Sequence, residues 1–169
     1  MGKPEEFAKK YFDDGADEIF YQDVVASLYG RNSLHNVISK TAKEVFIPLT
    51  VGGGIRNLKD IYDILRSGAD KVSINTAAIH NPNFIYDAAK KFGSSTIVVS
   101  VELIKSNDGY YYAFTDNGRN NSGIEVFKWI KKVEEMKAGE IILTFVDTEG
   151  TGKGIDLEFA KKAVDNVST

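Results

Sequence analysis

Pro48-Leu-Thr-Val-Gly-Gly-Gly-Ile-Arg56, the helical stretch Leu58–Ser67 and then Ser67-Gly-Ala-Asp-Lys-Val-Ser-Ile-Asn-Thr-Ala77 decide how this chain folds. A short apolar run, Phe46–Val51, ends in three glycines, and a second, Lys71–Asn75, follows a Gly-Ala-Asp joint. Near-continuous hydrophobicity over so few residues predicts strands covered on both faces, as in parallel sheets. With a helix between them, the two runs make one right-handed βαβ unit.

The pattern extends in both directions. Further strand candidates are Ile19–Val25, Thr96–Leu103 and Glu140–Val146. Further helical segments are Pro4–Asp14, Ser33–Glu44, Asn83–Phe92, Ile124–Lys137 and Leu157–Val167. Pro4 and Pro82 suit a first helical turn, and Gly15, Gly68 and Gly93 stand where helices stop. The joint recurs as Asp14-Gly-Ala-Asp-Glu-Ile and Lys137-Ala-Gly-Glu-Ile, so one βα design repeats. Asp108–Asn117 (DGYYYAFTDN) interrupts the rhythm as a small aromatic hairpin after Thr96–Leu103. No linker or shift in composition divides residues 1–169, which read as one domain. A closed eight-unit barrel takes about 250 residues. Five strand candidates in a chain of 169 residues therefore predict an incomplete one, an α/β fold of the (βα)8 TIM-barrel type.

Composition narrows the function. A formal net charge of −3 argues against a nucleic-acid partner held through its phosphates. With no cysteine and two histidines, His35 and His80, disulfides are excluded and no metal site is expected. No apolar stretch approaches the roughly 20 residues of a membrane span, and no signal peptide opens the chain, so the expected compartment is the cytoplasm.

Chemistry gathers at strand ends. Three glycines before a helix let backbone N–H groups approach an anion, which the helix N-terminus also favours. Gly53 and Gly54 are thus candidate phosphate ligands, and Asn75 and Thr76 end the next strand with an amide and a hydroxyl. The stretch is neither a dinucleotide fingerprint nor a P-loop. Asp23, Glu102, Thr144 and Asp147 end other strands, where a parallel barrel opens its active-site mouth. Asp23 and Glu102 could divide acid–base work between them or simply accept loop N–H groups. Glu149-Gly-Thr-Gly-Lys-Gly154 is a second glycine-rich loop, equally readable as a phosphate site or a surface loop.

Gly15-Ala-Asp-Glu, Val45–Arg56, Ser67–Ala77 and Gly139-Glu-Ile-Ile-Leu-Thr144 together resemble the cyclase subunit of imidazole glycerol phosphate synthase, in order and over nearly the whole chain. The resemblance implies an ammonia-using barrel enzyme of histidine biosynthesis, a lyase-type synthase. It closes an imidazole ring on a substrate with two phosphates, needs no cofactor and is partnered by a glutaminase. This chain would span the family's strands two to six, with strands one, seven and eight absent and the hairpin after the fifth. One phosphate would lie at Gly53, Gly54, Asn75 and Thr76 and part of the other at Glu149 and Gly150. Glu102 would take the second catalytic aspartate's place, with Asp23 and Thr144 as neighbours. Glu18, Lys71 and Glu140, at strand beginnings, would gate the ammonia entrance.

The departures are specific. Glutamate at 102 is one methylene longer than the family's aspartate, Glu149 also replaces an aspartate, and the first catalytic aspartate belongs to the absent strand one. The chain alone is therefore expected to be inactive. Glu102, Asp23-Val-Val-Ala-Ser-Leu-Tyr-Gly-Arg31 and Asp116-Asn-Gly-Arg119 are similar to cyclase-like paralogues of surface-sugar biosynthesis. That leaves an amidotransferase component there, or a non-catalytic phosphate-binding fragment, as alternatives.

Overall fold

A computed structural model describes residues 3–24 and 34–169. The remainder of the Asp23–Arg31 motif and the expected starts and ends at Ser33 and Val25 lie outside the described residues. The chain divides into two compact units, 1–73 and 74–169.

The first unit alternates helix and strand: α1 (Pro4–Asp13), β1 (Ile19–Gln22), α2 (His35–Glu44), β2 (Leu49–Gly52), α3 (Leu58–Arg66) and β3 (Lys71–Ile74), whose last residue belongs to the second unit. The strands are parallel, with Ile19 beside Leu49 through Gln22 beside Gly52, and Thr50 beside Lys71 through Gly52 beside Ser73. Every residue of β2 is buried, which is why its sequence shows no polar alternation. Ile38, Ile61 and Ile64 cover the sheet from the helices, each fully or almost fully buried. Removing such a side chain from water is worth about 1.5–3 kcal/mol.

The Gly-Ala-Asp joint has a clear physical basis. Gly68, at φ +113°, turns the chain out of α3 where an added Cβ would lie 2.8 Å from Ala42. Asp70 then grips Leu49 twice: its carboxylate accepts the Leu49 N–H at 2.9 Å and its own N–H donates to the Leu49 carbonyl at 2.9 Å. At the third joint Lys137 takes the left-handed conformation (φ 70°) in the place that Gly68 holds, and Ala138 is buried as Ala69 is.

The second unit holds α4 (Thr76–His80), α5 (Asn83–Phe92), a 3-10 turn (Ser94–Thr96), β4 (Ile97–Lys105), β5 (Tyr111–Thr115), β6 (Asn120–Glu125), α6 (Val126–Glu135), β7 (Glu140–Phe145) and α7 (Leu157–Asn166). β7 runs parallel to β4, from Val98 beside Glu140 to Leu103 beside Phe145. The last residues of β4 pair antiparallel with β5, and β5 pairs antiparallel with β6. The aromatic insertion is therefore larger than Asp108–Asn117: β4 itself is the first arm of a three-stranded meander. Ile124 and Glu125 belong to β6 rather than to the next helix, because Glu125 caps α6 by accepting the Phe127 and Lys128 N–H groups at 3.0 and 3.1 Å. β2 starts later than Phe46, whose side chain is exposed, and β3 ends before Asn75, where the backbone turns into α4. The parallel strands with flanking helices are those of an incomplete (βα)8 barrel.

Candidate functional site

Glu102 lies near the C-terminal end of β4 and is 8% exposed. Its Oε2 accepts the Gly118 N–H at 2.8 Å, and the Asn75 amide is a second donor to the carboxylate. Burial pushes its pKa above the usual carboxylate range; the two donors oppose this, and the negative charges of Asp116 and Glu149 add to it. Thr144 is its register partner on β7. Residues side by side on adjacent parallel strands face the same way, so the hydroxyl stands next to the acid.

Asn75 and Thr76 open α4 beside the hairpin. The Asn75 Nδ2 donates to the Phe114 carbonyl at 3.1 Å as well as serving Glu102. Thr76 Oγ1 accepts the Asp116 N–H at 3.3 Å, which leaves its own proton available to donate. After β7, Gly150, Gly152 and Gly154 all have positive φ with open space where a Cβ would go. This loop and Thr144 line a cleft of about 380 Å³ that also includes Glu149. Within the second unit, the structure thus brings together Glu102, Thr144 and Asn75, with the Glu149–Gly150 loop beside Thr144.

In the first unit, Gly53 and Gly54 follow β2 with φ of +106° and +69°. A Cβ on Gly53 would fall 2.3 Å from the Asp23 carbonyl oxygen, so the glycine is required by close approach of the loop that leaves β1. The Asp23 N–H donates to the Gly52 carbonyl at 3.0 Å. Asn57 then caps α3, accepting the Lys59 and Asp60 N–H groups at 2.9 and 3.0 Å.

Charged residues occupy the opposite, starting ends of strands. Lys71 donates to Glu18 Oε2 at 3.0 Å, and the Thr50 hydroxyl donates to Glu18 Oε1. Burial pushes the Glu18 pKa up, but the Thr50 and Lys71 hydrogen bonds and the Lys71 charge outweigh it and hold the carboxyl below its usual range. Glu140 begins β7, beside Val98.

Sequence reasoning misses two partners of these groups. Gly118 carries only an Asn-Gly turn signal, and nothing in the sequence ties that turn to Glu102. Thr50 reads as one more strand residue, and its hydroxyl reaches Glu18 only through the β1–β2 register. Among the described residues, no group of three or more His, Cys, Asp or Glu side chains could hold a metal ion, and no helix is long and apolar enough to cross a membrane.

A family model described as "Histidine biosynthesis protein" matches residues 1–169. A Legionella pneumophila protein named "Imidazole glycerol phosphate synthase subunit HisF" is 51% identical over 168 residues, covering 99% of this chain and 79% of that protein. A Bacillus cereus (strain ATCC 10987 / NRS 248) protein of the same name is 46% identical over 168 residues, covering 99% and 67%. One from Alkaliphilus metalliredigens (strain QYMF) is 46% identical over 161 residues, covering 95% and 64%.

Proposed function

The chain belongs to the histidine biosynthesis protein family, and from that premise we propose that it serves as the ammonia-using cyclase component of an imidazole glycerol phosphate synthase. The observation that carries this is the end-to-end family match, residues 1–169, with an acid at 102 set among hydrogen-bond donors at a strand end.

Glu102 is the proton-handling group of the ring closure in this reading. A carboxyl whose pKa is raised by burial exchanges protons nearer neutral pH than a solvated one does. Thr144, the neighbour of Glu102 on β7, contacts the substrate near the reacting centre. In the first unit the backbone N–H groups of Gly53 and Gly54 serve a substrate phosphate; in the second, the Thr76 hydroxyl, Asn75 and the Glu149–Gly150 loop are the groups suited to one. Such N–H groups donate to an anion from a fixed backbone, with no charged side chain required. Ammonia comes from a glutaminase subunit, and the Lys71–Glu18 ion pair at the strand starts of the first unit is assigned to its entrance.

Calorimetric titration of the chain with the two-phosphate substrate of the cyclisation tests the ligand assignment. Saturable binding is expected, and Gly53→Asp, which adds both a side chain at positive φ and a negative charge, should weaken it at least tenfold. Absence of binding by a folded chain, or equal affinity in the variant, contradicts the reading.

A further inference from the structure

We infer that the turn Asp116–Gly118 is a positioning element for Glu102, built to hold the Gly118 N–H on the Glu102 carboxylate. Three consecutive residues take left-handed backbone conformations there: Asp116 at φ 55°, Asn117 at 60° and Gly118 at 75°. They belong to the four-residue connection Asp116–Arg119, which the Arg119 N–H closes on the Thr115 carbonyl at 3.1 Å. Asp and Asn tolerate this region better than other side chains, but they still adopt it at a cost.

The turn is anchored at both sides. Its Asp116 N–H donates to Thr76 Oγ1 at 3.3 Å, and the Asp116 carboxylate accepts from Asn120 Nδ2 at 2.8 Å and from the Thr115 hydroxyl at 3.2 Å. Gly118 lies against Val146, where an added Cβ would come within 2.6 Å of Cγ1. Val146 is itself fixed by its N–H to the carbonyl of Leu103, the residue after Glu102, at 3.1 Å. The N–H that meets Glu102 at 2.8 Å is therefore located from β4, from α4 and from the end of β7 at once. Aspartate at 102 would fall one methylene short of this donor, so the turn and the longer acid fit each other.

That Glu102 handles a proton in catalysis rests on the cyclase reading; the Gly118–Glu102 hydrogen bond does not, and it is measurable with no substrate present. The charged groups facing Glu102 are Asp116 from the turn and Glu149 from the loop after β7, so the readout must separate their titrations from its own. In nitrogen-15 spectra of the full chain, the Gly118 amide proton should move downfield as pH rises through a carboxyl titration. Glu102→Gln should abolish that movement while Asp116→Asn leaves it. In Gly118→Ala, the Glu102 carboxyl itself, followed by carbon-13 labelling, should titrate at higher pH than in the wild type. If that variant does not fold, the first comparison decides alone. A Gly118 amide insensitive to pH, or a dependence that survives Glu102→Gln, would overturn the inference. Absence of binding of the two-phosphate substrate with the amide response intact would count against the functional reading only.

Discussion

Glu102 has exchanged water for one backbone N–H and one side-chain amide, and for a buried carboxylate that exchange is incomplete. Its pKa in the fold lies above that of the unfolded chain, so folding favours the protonated form. The stability it contributes is fully present at low pH and is lost as pH rises through the folded pKa. Glu102→Gln should accordingly be more stable than the wild type to urea at neutral pH. The difference should vanish at pH values below the ordinary carboxylate range. Glu18 runs the other way: its lowered pKa gives stability that is present at neutral pH and is lost on acidification. Lys71→Met should therefore flatten the acid limb of the stability profile; an unchanged limb would show that the pair contributes nothing measurable, as exposed pairs often do.

The helices and parallel strands are legible in the sequence because burial on both faces writes long apolar runs, and because proline and glycine mark helix ends. Asn83–Phe92 reads to the residue and the other helical segments to within two residues at the ends the structure describes, but the short α4, Thr76–His80, is missed. Asn75 and Glu125 are polar residues at strand–helix borders: Asn75 is settled by a hydrogen bond to the distant Phe114 carbonyl, and Glu125 ends its strand by capping the next helix, a cap that the apolar run beginning at Ile124 conceals. The extent of the β4–β5–β6 meander is hidden because β6, Asn120–Glu125, is mostly polar, has no buried residue and carries little periodic signal. Of the candidate site, the strand-end acids and glycine loops can be read, whereas the Gly118 donor cannot, since pairing of β5 with β6 creates it. Caps are testable at this scale. Asn57→Ala removes the acceptor for two N–H groups at the start of α3 and should cost about 1 kcal/mol in chemical denaturation. Loss of less than a few tenths would mean that water replaces the cap.

At the scale of the molecule, the boundary between the two compact units falls inside β3, which makes separate folding of the halves costly. We propose that residues 1–169 fold as one cooperative domain. The single tryptophan, Trp129, is 2% exposed and belongs to the second unit, while far-ultraviolet circular dichroism reports helices of both. The two thermal transitions should coincide; a fluorescence midpoint distinct from the dichroism midpoint would show that the units melt independently.

The central claim is that this chain carries the working parts of an ammonia-using cyclase. It is tested most directly by placing the chain in the Legionella relative, in exchange for that protein's matched segment, and assaying formation of imidazole product with substrate and ammonium salt. Ammonium-dependent product is predicted, with Glu102→Gln slower by about 10²–10⁴-fold, the range for loss of a general acid or base. A folded hybrid that binds the two-phosphate substrate yet forms no product, or one whose rate is indifferent to Glu102, would contradict the account.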